Sequence, residues 1–403
     1  MPDSLTIHLV NRTTTPLVFA YITGLAIQSN SARVFLQSDG HTLHYPPSPP
    51  DGQILQPLTA PVAIPLGPPG NTVAVTIPQI AGGRIWFSRG ERQLVFLRNP
   101  GGPGGGAALV EPSVLNPSDP NADVDFAFCE FTLNGDQLFA NISYVDFVSR
   151  LPVALTLAER DGGGKVQHVA GMGADGLERV CEGLRAQAEK DGRPWDRLIV
   201  QQKGGEGRPL RALSPTHGGA VGVGFEGYFE GLVERAWERY REGHRGLFHR
   251  GSEKLRINTQ AAAGVVDGHV DKGTDELVVG GERFAKPTTA DILGCNSGPF
   301  TTGPSPTRNA IIPRLAAAFQ RSCIVDVAEH PSHPDTFYKC EPTNHYARIV
   351  HECNLDGKGY AFAYDDVQMD GGEDQSGKVN AGDPEVLVVE VGGEEAYVGD
   401  RMG

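Results

Sequence analysis

The stretch from 123 to 148 carries the most information about the fold, and it reads DVDFAFCEFTLNGDQLFANISYVDFV. Alternating apolar residues on either side of Asn134-Gly135-Asp136 predict two β-strands joined by a turn. The even-numbered residues from Val124 to Thr132 share one face of the first strand, and Glu130 is among them. A carboxylate in such a row is either a solvent-exposed charge or a functional group. Periodicity by itself favours the exposed charge.

Short strands separated by turns are predicted on both sides of this stretch, over most of the first half of the chain. Alternating patterns occur at Leu5–Val10 and Val73–Ile77, and Arg84–Ser88 follows a Gly-Gly break. The segment Pro100–Gly106 is almost entirely Gly and Pro and predicts a flexible loop. Gly (52) and Pro (30) together account for 82 of the 403 residues, which suits a loop-rich β protein.

The middle of the chain has a different pattern. Helical apolar spacing predicts helices over Asp175–Asp191, Phe225–Arg245 and Ala310–Arg321, the last with Pro313 in its first turn. Leu198–Val200 and Glu276–Val279 have the composition of strands. The end of the chain returns to strand patterns, which lie at Tyr346–His351, Gly359–Tyr364 and Glu385–Val391, with an acidic, Gly-rich loop at Asp370–Asp383.

These patterns predict a mainly β protein with an α/β insertion. Residues 1–165 and 340–395 would form a β-barrel or sandwich domain, and residues 166–339 a mixed α/β domain. The two would enclose a wide groove, and a ligand is expected at their junction.

The charge of the chain restricts the class of partner. Lys and Arg number 35 against 49 Asp and Glu, so the net charge is −14. Nucleic acids and anionic membranes require positive charge on the protein, whereas a neutral polysaccharide does not. No apolar run approaches the ~20 residues that span a bilayer. A soluble monomer is expected. An extracellular location is predicted although Met1 is followed by no leader pattern, and a cytoplasmic location stays open.

The cysteines and histidines do not have the spacing of a metal site. Six cysteines could form up to three disulfides, with Cys323–Cys340 one candidate pair and free thiols the alternative. No Cys-x-x-Cys pair accompanies the histidines between 323 and 353, so neither a metal nor a cofactor is predicted. Asn141-Ile142-Ser143 is a glycosylation sequon, as is Asn11-Arg12-Thr13.

Two segments of the central stretch resemble a known family. Glu130-Phe131-Thr132-Leu133-Asn134 followed by Asn141-Ile142-Ser143-Tyr144-Val145-Asp146 resembles the acidic cleft of thaumatin-like proteins. The likeness is closer to family 64 of the glycoside hydrolases, which are β-1,3-glucanases built on a thaumatin-like barrel. Pro342–Ala347 and Gly359–Val367 also resemble segments of that family, in the expected order, and so does the predicted helix near Ile311–Ser322.

The resemblance implies an inverting, endo-acting β-1,3-glucanase with Glu130 as general acid and Asp146 as general base. Inversion leaves room for a water molecule, so the two carboxyl groups should stand about 6.5–9.5 Å apart. A glucan-binding thaumatin-like protein without turnover is the alternative.

Further residues are candidates for contact with β-1,3-glucan. Thr132 and Asn134 could hydrogen-bond to sugar hydroxyls, and Phe139 could stack on a pyranose ring. His345 and Tyr346 are predicted as residues of the cleft. Asp365 and Asp366 would either add negative charge to the cleft or end the last strand.

The catalytic hypothesis carries a geometric condition. A two-residue hairpin at Asn134-Gly135 would pair Glu130 with Phe139 and leave Asp146 roughly 23 Å further along, at ~3.3 Å per residue. We therefore expect a longer loop, over about 134–140, that brings Glu130 and Asp146 opposite or diagonal to one another.

Overall fold

The structure, a computed structural model, describes residues 3–160, 165–205, 207–241 and 254–393. The first part of the described chain is almost entirely β. Its strands are β1 (Ser4–Asn11), β2 (Val18–Ala26), β3 (Ala32–Leu36), β4 (Leu43–His44), β5 (Gln56–Pro57), β6 (Ile64–Pro65), β7 (Thr72–Pro78), β8 (Ile80–Arg89), β9 (Leu97–Asn99), β10 (Ala108–Val110), β11 (Asp125–Leu133), β12 (Leu138–Ile142), β13 (Phe147–Ser149), β14 (Val153–Glu159) and β15 (Val166–Val169).

The second part alternates helices with short strands. Its elements are α1 (Gly176–Asp191), β16 (Ile199–Gln201), β17 (Pro209–Leu213), α2 (Glu230–Arg239), β18 (Leu255–Asn258), β19 (Val265–Val270), β20 (Leu277–Val279), β21 (Glu282–Phe284), α3 (Thr289–Gly294), α4 (Pro306–Gln320), β22 (Glu329–His330), α5 (His345–Cys353), β23 (Lys378–Ala381) and β24 (Pro384–Val391). Single turns of 3-10 helix connect several of them, among them Pro215–Val221.

Two large sheets form the β part. An eight-stranded sheet has the order β23-β12-β11-β8-β2-β3-β4, with β6 paired to β2, and a five-stranded sheet has the order β15-β14-β24-β1-β7. In the five-stranded sheet β1 pairs in parallel with β24, so the two ends of the described chain lie side by side. The main hydrophobic core draws on both sheets, including Leu155 of one and Cys129 of the other.

The outer face of the eight-stranded sheet carries a second apolar cluster, which is mostly aromatic. Trp86, Phe126 and Phe128 belong to it, with Phe147 packed on them from β13. Side chains alternate between the faces of a strand, so Phe126 and Phe128 point outward while Ala127 and Cys129 enter the main core. Glu130, two residues beyond Phe128, continues the outer row.

The remaining sheets are smaller and belong largely to the second part of the chain. They have the orders β21-β20-β19-β18-β22, β13-β17-β16 and β10-β9-β5. The sheet β13-β17-β16 joins the two parts, because β13 comes from the first part and pairs with β17 of the second.

The helix predictions were confirmed in part. Helix α1 ends where predicted, with Gly192 at a φ of 69°, a conformation that favours glycine. Helix α2 is shorter than predicted, and residues 242–245 of that prediction lie outside the described residues. Helix α4 begins at Pro306, so Pro313 lies inside the helix rather than in its first turn.

Two predicted strands near the end of the chain were wrong. Residues 345–353 form helix α5, whose first turn is capped by the Asn344 side chain accepting from the Ala347 amide. Residues 359–364 form turns around a single bridge at Tyr360. The loop predicted at 370–383 contains β23, while the final strand lies at Pro384–Val391, as predicted within one residue.

No helix in the described parts of the chain is long and apolar enough to cross a membrane.

Candidate active site

A row of three polar side chains crosses neighbouring strands of the eight-stranded sheet. Glu130 on β11 pairs directly with Arg84 on β8 and with Asn141 on β12. Residues directly opposite in antiparallel strands project from the same face with their Cβ atoms about 5 Å apart. The register therefore brings a cation, a carboxylate and an amide together on the outer face.

Arg84 forms charge-assisted bonds to two carboxylates. Its Nε and Nη2 donate to Oε1 of Glu130 at 3.1 and 3.0 Å, and its Nη1 donates to Oε2 of Glu111 at 2.7 Å. Its guanidinium also lies over the Phe128 ring, 4.9 Å from the centroid. Burial alone would lower the pKa of Arg84, but the charges of Glu111, Glu130 and Asp146 outweigh it and raise that pKa.

This row lies in a cleft of about 360 Å³. The cleft is lined by Arg33, Gly82, Gly83, Arg84, Glu111, Glu130, Phe131, Thr132, Phe139 and Asn141. Thr132 and Phe139 are opposite one another in the ladder, and Thr132 Oγ1 accepts a hydrogen bond from the Gly82 amide at 3.2 Å. Charged, hydroxyl, amide and aromatic groups thus meet around Glu130, and a few polar groups beside aromatic ones in a cleft are typical of a small-molecule site.

The turn between the two strands differs from the expected one. Glu130 pairs with Asn141, and the Asn134 amide donates to Gln137 O at 3.0 Å, so the turn is centred on Gly135-Asp136. The two-residue hairpin at Asn134-Gly135 is therefore absent, but so is the predicted loop over 134–140. Asp146 does not lie in the strand opposite Glu130, since β12 ends at Ile142.

Asp146 lies on a segment that leaves the sheet and folds back over its outer face. After Ile142, the Tyr144 amide donates to Tyr360 O at 2.7 Å. The Phe147 ring then packs against Phe126 and Phe128, with centroids 5.3 and 6.0 Å apart. Asp146 immediately precedes this aromatic contact, and its charge acts on Arg84.

The Asp146 carboxylate is held by a residue of the second part of the chain. His217 Nε2 lies 2.8 Å from Asp146 Oδ1. The Ser214 amide donates to the backbone carbonyl of Asp146 at 2.9 Å. Segment 214–217 thus contacts Asp146 at both backbone and side chain.

Two of the other residues predicted to contact a sugar line the cleft, and a third lies at the tip of the hairpin. Thr132 and Phe139 line the cleft. Asn134 lies at the tip of the hairpin, where its Oδ1 accepts from the amides of Asp136 and Gln137 at 2.9 Å each. The side-chain oxygen of Asn134 therefore stabilises the turn.

His345 and Tyr346, which were predicted as cleft residues, are both buried and do not line this cleft. His345 bonds Glu341 at 2.9 Å and packs edge-on against Trp195. The Tyr346 hydroxyl donates to Tyr144 O at 2.7 Å, two residues from Asp146. Tyr346 thus supports the segment that carries Asp146 rather than contacting a ligand.

Asp365 neither adds negative charge to the cleft nor ends a strand, which were its two predicted roles. It is buried and lies 3.0 Å from both the Arg321 guanidinium and His351 Nε2, while its Oδ2 accepts from the Ala361 amide at 2.9 Å. It therefore stabilises the junction of α4, α5 and the turn after Tyr360.

Five of the six cysteines and the asparagines of both sequons are buried. All six cysteines are free thiols, so no disulfide joins Cys323 to Cys340. Asn11 and Asn141 are 0% and 6% exposed, which leaves neither amide accessible to a glycan in the folded chain. Among the described residues, no group of three or more His, Cys, Asp or Glu side chains is arranged to hold a metal ion.

Four residues of the site were missed from the sequence. Arg84 and Asn141 pair with Glu130, Glu111 contacts Arg84, and His217 contacts Asp146. The alternation Arg84-Ile85-Trp86 places Arg84 on the Trp86 face, which is a usable signal once the register is known. Glu111 and His217 come from irregular segments, where no periodicity reveals their direction.

Comparison with known proteins agrees with this architecture. The chain matches the family 64 glycoside hydrolases, described as β-1,3-glucanases, over residues 3–391. The glucan endo-1,3-beta-glucosidases of Cellulosimicrobium cellulans and Arthrobacter sp. (strain YCWD3) are each 30% identical over 312 residues, which is 74% of this chain and 50% of theirs. The chain therefore spans about half the length of these relatives.

Solved structures of the same kind superpose over nearly the whole chain. A laminaripentaose-producing β-1,3-glucanase in complex with laminaritetraose is 28% identical, with a TM-score of 0.79 and coverage of 97% of this chain and 99% of that one. A β-1,3-glucanase domain from Clostridium beijerinckii, 21% identical with a TM-score of 0.72, covers 96% and 98% and shows the same fold. The chain belongs to glycoside hydrolase family 64.

Proposed function

We propose that this protein is an endo-acting, inverting β-1,3-glucanase in which Glu130 is the general acid and Asp146 the general base. The observation that carries the proposal is electrostatic and geometric. The Arg84 guanidinium donates to Glu130 at 3.0 Å in the cleft, and the charges of both Glu130 and Asp146 help to raise its pKa. Membership of a glucanase family supports the reaction class.

The two carboxylates approach from different directions. Glu130 projects from the sheet at the floor of the cleft, whereas Asp146 comes from the segment that folds over the aromatic row. In an inverting hydrolase the acid protonates the glycosidic oxygen and the base activates water on the opposite face of the sugar, with the two carboxyl groups about 6.5–9.5 Å apart.

The lining of the cleft suits a neutral glucan. Phe139 offers an aromatic ring to a pyranose face, and Thr132 offers a hydroxyl group. Laminaritetraose occupies the related structure, which supports a β-1,3-linked oligosaccharide as the ligand here. A net charge of −14 is compatible with such an uncharged substrate.

We also propose that the chain forms two domains. We place a thaumatin-like barrel at 1–165 and 340–395 and a mixed α/β domain at 166–339, with a wide groove between them for a long polymer. A secreted monomer acting on cell-wall glucan fits this arrangement.

Release of reducing ends from linear β-1,3-glucan tests the proposal. Wild type should generate new ends, whereas Glu130→Gln and Asp146→Asn should lose at least about 10²-fold in rate, the lower range for removal of an acid or base. Asp136→Asn, an exposed residue of the same hairpin, is the matched control and should retain wild-type activity. If the wild type binds glucan without hydrolysing it, the proposal that the protein is a glucanase is refuted, and the non-catalytic glucan-binding alternative is favoured.

A further inference from the structure

The strongest feature outside the cleft lining is the contact between His217 and Asp146. The imidazole Nε2 and the carboxylate Oδ1 are 2.8 Å apart, with the side chains 19% and 38% exposed. His217 belongs to the 3-10 segment Pro215–Val221 and so lies outside the sheet that carries Glu130.

The backbone around His217 is itself held in place. The His217 amide donates to Ser214 O at 2.9 Å, and the Ser214 amide donates to Asp146 O at 2.9 Å. Thr216 Oγ1 donates to Leu293 O at 2.9 Å, which ties the segment to the end of α3. The imidazole is therefore presented to Asp146 by a segment with fixed neighbours on both sides.

We propose that His217 is the positioning residue of the general base. This inference rests on the proposed function, in which Asp146 activates the attacking water. A bond from Nε2–H to Oδ1 selects one orientation of the carboxylate and leaves Oδ2 to accept the proton of that water. The donor also stabilises the ionised carboxylate that a base requires.

Other groups facing Asp146 do not replace this contact. Arg84 acts on Asp146 through its charge, but its nitrogens bond Glu130 and Glu111. The Tyr346 hydroxyl is buried and donates to the Tyr144 carbonyl. Burial, followed by the charge of Asp146, raises the pKa of Tyr346, so this hydroxyl stays neutral beside the base.

Kinetics of His217 variants test the inference. His217→Ala should lower kcat roughly 10- to 100-fold, the usual cost of losing a residue that orients a reacting group, and change KM by less than about twofold. The acid limb of its rate profile should move to higher pH, because the carboxylate loses a donor. His217→Gln, which restores a donor, should recover part of kcat and shift the limb back. His41→Ala, at a histidine whose side chain is 71% exposed, is the control.

The outcomes separate this inference from the proposed function. If Asp146→Asn leaves hydrolysis intact, the proposed function fails. If Asp146→Asn abolishes hydrolysis while His217→Ala keeps the wild-type kcat and pH profile, the positioning role is overturned. It is equally overturned if His217→Gln lowers kcat as much as His217→Ala, or if the loss is confined to KM. Circular dichroism of each variant verifies the fold, and the glutamine variant decides the matter if the alanine variant does not fold.

Discussion

Substitution of Asp365 by asparagine should destabilise the protein strongly. The Asp365 carboxylate is fully buried and contacts the Arg321 guanidinium and His351 Nε2, each at 3.0 Å. The substituted amide would keep the size of the carboxylate but leave two buried cationic groups without their counter-charge. Hydrogen bonds to charged groups contribute about 1.5–3 kcal/mol each, and breaking a buried ion pair costs about 3–5 kcal/mol. We expect a loss of about 3–5 kcal/mol in the free energy of unfolding, the range for a broken buried pair.

The same network predicts a pH dependence. Burial lowers the pKa of His351, but the charge and hydrogen bond of Asp365 outweigh it and raise that pKa. Burial likewise raises the pKa of Asp365, but His351 and Arg321 outweigh it and lower that pKa. The contribution of His351 to the free energy of unfolding is complete below the pKa that it has in the unfolded chain, about 6.5. It is lost as pH rises through the higher pKa that it has in the folded protein. The contribution of Asp365 is complete above the pKa that it has in the unfolded chain, about 4. It is lost as pH falls through the lower pKa that it has in the folded protein. The stabilisation should therefore be greatest between about pH 4 and 6.5.

Urea denaturation followed by tryptophan fluorescence measures both effects, since Trp86, Trp195 and Trp237 are all buried. Asp365→Asn should lower the midpoint markedly near the middle of that range, at about pH 5.5, and abolish the maximum of stability there, because burial without the aspartate lowers the pKa of His351. Asp335→Asn, at a side chain that is 89% exposed, serves as the control. A midpoint for Asp365→Asn equal to that of the control would refute the reasoning.

Three further substitutions follow from individual contacts. Arg84→Met should keep the packing on the neighbouring rings but lower kcat roughly 10²-fold, because Glu130 loses the two donors that orient its carboxyl group; an unchanged kcat would contradict this. Phe139→Ala should raise KM for glucan oligosaccharides roughly 10-fold through lost stacking, with kcat retained, as steady-state kinetics will show. Gly171→Ala should cost more than about 1 kcal/mol in thermal or urea unfolding, because φ is +67° and the new Cβ would lie 2.2 Å from Val153 O; wild-type stability would refute the strain.

Much of the β framework could be predicted because its strands alternate cleanly. Strands β1, β7 and β8 and the final strand β24 lie within a few residues of their predicted bounds. Helix α1 was predictable for a similar reason, since its buried residues follow helical spacing and a glycine ends it.

The segments that were mispredicted depend on tertiary contacts. The residues after Asn344 include strand-forming types, yet Tyr346, Ile349, Val350 and Cys353 are buried at helical spacing against the rest of the protein. The turn after Tyr360 is organised by the buried Asp365 carboxylate, whose partners come from the residue after α4 and from α5. Such long-range partners leave no local periodic signal.

The candidate site likewise combines residues that the sequence suggested with contacts that depend on the tertiary structure. Glu130 and Asp146 were suggested by motif resemblance, and their roles stay predictions. The expected loop was wrong because the chain turns at Gly135-Asp136 and β12 begins at Leu138. The position of Asp146 depends on the packing of Phe147 on Phe126 and Phe128, which strand register alone cannot reveal. The ion pairs of Arg84 and the bond from His217 likewise depend on elements far apart in the chain.

The anomeric form of freshly released product tests the central claim most directly. Proton NMR during the first minutes of hydrolysis of linear β-1,3-glucan distinguishes the two anomers before mutarotation mixes them. If Glu130 and Asp146 act as acid and base on opposite faces of the sugar, the α-anomer appears first, and neither Glu130→Gln nor Asp146→Asn forms it at a comparable rate. Initial release of the β-anomer would contradict the account, because it would require a covalent intermediate and a closer pair of carboxylates.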